Sequence, residues 1–295
     1  MATPRFGRLV TAMVTPFDAE GSLDLPRARE LALRLLDEGS DGLVVCGTTG
    51  ESPTVPYEEK LELFAAVVEV VDGHAPVIAN AGDNATQDSV DFAKRVVKLG
   101  VDAVMAVVPY YNKPPQEGLY RHFRSIAEAI DVPMIMYNIP GRCVVNMEAE
   151  TTLRLARDVE NIVAVKEASG NMAQVAAICG GAPDGFEVLS GNDEDTLPMM
   201  GLGAVGVISV ASHVAGPQMA EMVASQAAGD HTRALKLHLQ LLPLFKALFL
   251  TSNPIMVKDA LAQTGFPVGT VRLPLVPPTE AQSAELARVM EHLGL

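Results

Sequence analysis

Eight short apolar runs recur along the first two thirds of the chain, and amphipathic stretches lie between them. The runs occupy residues 9–14, 42–46, 76–79, 103–108, 133–137, 162–165, 186–189 and 205–210. Most are rich in Val, Ile, Leu or Ala, and all are too short for a buried helix. Each therefore reads as a strand covered on both faces, as in a parallel sheet. Stretches such as 25–36, 57–71, 87–99 and 116–130 carry apolar residues at helical spacing, and Gly100 offers the third a C-cap. Eight strand–helix units spaced roughly 20–33 residues apart fit an α/β chain closed as a (β/α)8 barrel. A doubly wound sheet is the alternative, but no Gly-x-Gly-x-x-Gly turn follows the first run.

After about residue 229 the alternation stops. Segments 231–249, 254–263 and 279–293 read as helices with no strand between them, and Thr279 with Gln282 forms a capping-box signature. The expected organisation is a barrel over 1–228 with a helical region at 229–295. No linker-like segment separates the two.

Composition excludes several classes of function. The chain has 295 residues, is 48% hydrophobic, and carries a net charge of −14 with no Lys/Arg cluster and no Trp. Nucleic acid is therefore not an expected partner. No apolar run is long enough to span a bilayer, and the first residues lack an apolar signal core, so neither a membrane nor export is expected. The three cysteines are far apart and form no CxxC pair, as in a reducing cytoplasm. The six histidines show no metal-ligand spacing. No Gly-x-Ser-x-Gly elbow is present.

The chemistry-bearing residues sit where the runs end, the face on which a barrel builds its site. The sixth run is followed at once by Lys166, which would place its stem among apolar side chains and its amine at the strand's carboxyl end. Desolvation there lowers an amine's pKa, as a Schiff-base lysine requires. A lysine that merely ends a strand and reaches water is the plainer reading of that stretch alone. Gly47-Thr48-Thr49-Gly50-Glu51-Ser52 could turn backbone N–H groups and hydroxyls on a small carboxylate, or be an ordinary βα turn. Tyr110 and Tyr111 are adjacent in a chain with five tyrosines; they could supply a phenol or a subunit contact. The fifth run ends in Tyr137, and Arg142 follows with a guanidinium suited to a carboxylate. The acids of Ser190-Gly191-Asn192-Asp193-Glu194-Asp195 read better as helix caps than as metal ligands. Lysine, phenols, a carboxylate cradle and arginine together suit a 2-oxo acid: the amine forms an imine, loss of a methyl proton gives an enamine, and arginine holds a second carboxylate.

These motifs, in this order, resemble the dihydrodipicolinate synthase / N-acetylneuraminate lyase superfamily of Schiff-base TIM-barrel enzymes, and within it the dihydrodipicolinate synthase family. The similarity runs from Thr11-Ala12-Met13-Val14-Thr15-Pro16-Phe17 to Arg272-Leu273-Pro274 and includes Gly206-Val207-Ile208-Ser209-Val210. The resemblance implies condensation of pyruvate with L-aspartate 4-semialdehyde, in lysine (diaminopimelate) biosynthesis, without a cofactor. By the same resemblance Lys166 forms the imine and Tyr137 shuttles protons. Thr48 links Tyr137 to a Tyr111 supplied by the neighbouring subunit of a homotetramer, a dimer of dimers. Thr48 and Thr49 cradle the pyruvate carboxylate, Arg142 binds the semialdehyde carboxylate, and Gly191 and Ile208 line the pyruvate pocket.

The chain also departs from its relatives. Inhibitor-sensitive members often carry His or Glu at the Lys60 position and His at the Tyr57 position of a lysine feedback site, while Asn84 and Asp88 still match that site. Weak or absent feedback by L-lysine is the expectation. Asn80 replaces a common Gly, and Cys143 replaces a common Thr or Ser, with a thiol expected near the pocket mouth. Two other outcomes stay open at this point. One is a different pyruvate-dependent aldolase or dehydratase; the other is a non-catalytic paralogue that binds a 2-oxo acid.

Overall fold

The computed structural model describes residues 3–295. All eight runs form strands: β1 (Leu9–Ala12), β2 (Gly42–Val45), β3 (Val77–Asn80), β4 (Ala103–Val107), β5 (Met134–Asn138), β6 (Ile162–Glu167), β7 (Glu187–Ser190) and β8 (Gly206–Ser209). They pair in sequence order, all parallel, into a closed barrel. β8 returns to β1 with Leu9 opposite Val207 and Thr11 opposite Ser209. That seam needs a glycine, because a Cβ on Gly206 would lie 2.0 Å from the Arg8 carbonyl oxygen.

Alternation along each strand feeds two cores. Val10, Val44, Ile78, Met105, Ile135, Leu189 and Ile208 fill the barrel interior. Leu9, Leu43, Val45, Val104, Met136 and Val207 face the helices. Both faces are dry, which is why the strands read as continuous apolar runs.

The outer layer holds α1 (Leu25–Asp37), α2 (Tyr57–Val71), α3 (Thr86–Val96), α4 (Gln116–Ala127), α5 (Pro140–Cys143), α6 (Ala149–Asp158), α7 (Met172–Gly181), α8 (Thr196–Gly201) and α9 (Ser212–Ala228). Beyond Gly229, α10 (His231–Ala247), α11 (Ile255–Gln263) and α12 (Glu280–Leu293) follow with no intervening strand. Thr279 and Gln282 make the capping box of α12, and Gly100 caps the turn after α3 at a φ of 83°. Among the described residues no helix is long and apolar enough to cross a membrane.

Several element ends differ from their expected places, and one of these differences brings polar residues into the sheet. The sixth apolar run stops at Val165 with Lys166 at the strand's end, whereas β6 continues through Lys166 to Glu167. Both neighbouring strands extend far enough to keep the ladder going, with Tyr137 opposite Lys166 and Asn138 opposite Glu167. Backbone pairing, which is blind to side-chain polarity, overrides the change of composition.

Candidate active site

A slip in register aims the lysine. On β5 and β6, Met134 pairs with Ile162, but the next residue, Ile135, pairs with Ala164. One extra residue, Val163, is accommodated as a β-bulge. Ile162 and Val165 pack outward against the helices, whereas Val163 and Ala164 both pack on the interior cluster. A bulge changes side-chain parity for everything after it. Lys166 is thereby turned inward, beside Tyr137.

The amine of Lys166 lies 4.3 Å from the centroid of the Tyr137 ring, and the lysine is only 5% exposed. Burial pushes its pKa down to about 8. That net value includes the Asp193 carboxylate, which opposes the shift, and the Arg142 charge, which adds to it. The Tyr137 phenol is pushed up to about 12 by burial, against the pull of a Thr48 hydrogen bond and of Arg142. Lysine and tyrosine thus hold their protons at opposite extremes for their kinds: an amine that releases one readily and a phenol that keeps one.

A cavity of about 510 Å³ opens beside this pair. Thr48, Tyr137, Arg142 and Cys143 line it together with Ser52, Tyr57, Lys60, Asn80, Asp83 and Tyr110. Tyr137 is common to the cavity and the lysine. Lys166, Thr49, Gly191 and Ile208 do not line it. Thr49 is buried and accepts a hydrogen bond of 2.8 Å from Asn253. Gly191 follows β7 and donates its N–H to the Glu167 carbonyl at 2.8 Å. A Cβ there would meet Ala168 Cβ at 2.6 Å and Lys166 Cε at 3.3 Å, so glycine leaves the lysine stem its room. Ile208 sits on β8 in the interior cluster with Tyr137.

The tyrosine pair divides. Tyr110 lines the cavity and donates to Asp83 Oδ1 at 3.0 Å, while Tyr57 donates to the other oxygen at 2.9 Å. Tyr111 has a φ of 74° and is 87% exposed, outside the cavity of its own chain. Lys60 directs its amine into the cavity over the rings of Tyr57 and Phe92, and burial lowers its pKa. The Cys143 thiol was expected at the mouth; instead Cys143 is 2% exposed within the cavity wall, and burial pushes it up to about 11.

The acidic run after β7 corrects another expectation. Asp195 stands before α8 without capping it through its side chain. Asp193 is buried, and its carboxylate accepts from Ser209 Oγ and from the Val210 and Ala211 N–H groups. This ties the β7 loop to β8, and three hydrogen bonds offset the loss of water. Glu167 behaves likewise: its carboxylate accepts from Asn138, Gln174 and the Ser169 N–H beneath the lysine. Nothing in their spacing marks Asp193, Glu167 or Asn253 as site-building residues. The only hint is for Glu167, a charged residue at the end of a dry strand.

The family model of the dihydrodipicolinate synthetase family matches residues 5–293. A 4-hydroxy-tetrahydrodipicolinate synthase from Symbiobacterium thermophilum is 56% identical over 292 residues, 99% of each chain. Among solved structures, a dihydrodipicolinate synthase from Bacillus anthracis is similar with a TM-score of 0.95 and 48% identity, covering 98% of this chain and 99% of that one. The enzyme from Cyanidioschyzon merolae, solved with lysine bound, is similar with a TM-score of 0.97 and 46% identity, over 99% of this chain and 100% of that one. With a buried lysine beside a phenol at the carboxyl end of a parallel barrel, and with likeness over nearly its whole length, this chain belongs to the dihydrodipicolinate synthetase family.

Proposed function

We propose that the protein is a Schiff-base lyase that condenses pyruvate with L-aspartate 4-semialdehyde to 4-hydroxy-tetrahydrodipicolinate. The observation that carries this reading is Lys166, turned inward by the bulge, desolvated, and set against Tyr137. The neutral amine attacks the pyruvate ketone, and the carbinolamine loses water to give an imine. Loss of a methyl proton from the imine gives an enamine. The enamine carbon attacks the aldehyde, and its oxygen takes up a proton. The semialdehyde's own amine then displaces Lys166, closing the ring and freeing the enzyme.

Tyr137 carries protons to and from these intermediates, with Thr48 in hydrogen-bonding reach. Tyr111 extends that relay into a neighbouring subunit's site, which fits its exposure on its own chain. Thr48 and Thr49 take the pyruvate carboxylate, Gly191 and Ile208 bound the pyruvate, and Arg142 takes the semialdehyde carboxylate. No cofactor is required, since the lysine itself supplies the electron sink. The reading includes a homotetramer built as a dimer of dimers, and a cytoplasmic setting that the three free cysteines fit.

Turnover with pyruvate and L-aspartate 4-semialdehyde, beside a panel of other aldehydes, tests the assignment. Preferred use of the semialdehyde, lost in Lys166→Ala, is the expected result. Borohydride-trapped pyruvate without semialdehyde turnover would move the assignment to another aldolase. The absence of both would overturn the Schiff-base reading.

A further inference from the structure

The loop that carries Thr48 and Thr49 is bracketed by two strained residues. Cys46 and Glu51 adopt left-handed φ values of 56° and 55°. Neither is a glycine, and such backbone persists only where the surroundings fix it. The anchors come from far along the chain. The Lys258 amine pairs with Glu51 Oε1 at 2.6 Å, both side chains almost fully buried, and donates to the Thr270 carbonyl at 2.8 Å. The second Glu51 oxygen accepts the Arg272 N–H at 2.9 Å. Glu51 in turn donates its own N–H to the Thr48 carbonyl at 3.1 Å.

The other anchor is an amide. Asn253 is 6% exposed, and its Nδ2 donates to the Thr49 hydroxyl oxygen at 2.8 Å. Its Oδ1 is buried with no partner among the described residues. A residue kept only for packing would be apolar here and would strand no acceptor. What the amide accomplishes is to fix one hydroxyl. With its oxygen engaged by Asn253, that hydroxyl is left to point its own proton elsewhere.

We propose that Asn253 and Lys258, on the C-terminal helical region, are positioning residues for imine formation: Asn253 orients the Thr49 hydroxyl toward the pyruvate carboxylate, and Lys258 anchors Glu51 so that the threonine loop keeps its shape. This rests on the assignment of Lys166 and the threonine loop to pyruvate. The C-terminal region is then part of the site's construction, although neither residue needs to touch substrate.

The experiment is a pyruvate titration of imine formation, read as intact mass after borohydride reduction, with the melting midpoint measured alongside. Asn253→Ala is expected to raise the half-saturating pyruvate about 3–10-fold, the loss of one hydrogen bond. Thr49→Val is expected to do the same. The double variant should match Thr49→Val alone within about twofold, because Asn253 acts through that hydroxyl. Multiplying effects in the double variant would overturn the role of Asn253. The pair Glu51→Gln with Lys258→Met removes both charges at similar volume and leaves no stranded ion. It should retain the melting midpoint while raising half-saturating pyruvate by a similar factor. A lowered midpoint with unchanged half-saturation would make the ion pair structural only and overturn the role of Lys258. A wild-type protein that traps no pyruvate would overturn the Lys166 assignment and this inference together. Trapping by the wild type with unaltered titration in the variants would overturn this inference alone.

Discussion

The desolvated lysine makes a quantitative prediction about pH. Burial moves Lys166 from 10.5 to about 8. At pH 7 an ordinary lysine is neutral in only about one molecule in 3,000, and Lys166 in about one in ten, a gain of roughly 300-fold in nucleophile, or ~3 kcal/mol. The neutral amine is the attacking form, so the initial rate of imine formation rises with pH. It should climb about tenfold per unit below pH 7 and flatten above about 8. Rapid mixing with pyruvate across pH 6–10, quenching into borohydride and counting the adduct by mass reads this directly. The neighbouring charges fix the sign of two further shifts: Arg142→Gln should move the midpoint up and Asp193→Asn should move it down. A rate that still climbs tenfold per unit through pH 9 would show an ordinary lysine and refute the desolvation argument.

Three further outcomes follow from the same geometry. Gly191→Ala places a methyl 3.3 Å from Lys166 Cε and 2.6 Å from Ala168 Cβ, so pyruvate trapping should fall at least tenfold while circular dichroism shows the barrel intact. Arg142→Ala should reduce kcat/KM for the semialdehyde by about 100-fold, the loss of a charged contact to carboxylate, while pyruvate is still trapped; equal loss of both would remove its assigned role. L-Lysine at sub-millimolar concentration should leave steady-state turnover unchanged, since Lys60 presents its own amine to the cavity and repels a second ammonium; strong inhibition there would show that Lys60 guards nothing.

The barrel was legible because two dry faces force continuous apolar strands, and the intervals between strands leave room for one return helix each. Lys166 and Tyr137 were legible because they break that apolar pattern at strand ends, and Arg142 because it follows shortly after one. The bulge at Val163 was not. A run apolar on both faces gives no sign of which side chain points where, so inserting one residue changes nothing visible in Ile162-Val163-Ala164-Val165. Asp193 was misread because an acid near a helix start ordinarily caps it; here unpaired N–H groups just past β8 claim the carboxylate first. Asn253 and Lys258 lie 204 residues from Thr49 and 207 from Glu51 along the chain, beyond any local pattern.

The seam between β1 and β8, and the clasp of Asn253, Lys258 and Arg272 on the loop after β2, also set an order of events in synthesis. The first strand leaves the ribosome without the partner that closes it, and at roughly 5–20 residues per second its wait lasts about 10 s or more. Through that interval one edge of the growing sheet stays open, and the threonine loop lacks the groups that hold it. Until Asn253 and Lys258 have been made, the nascent chain lacks the two side chains that hold its threonine loop in place.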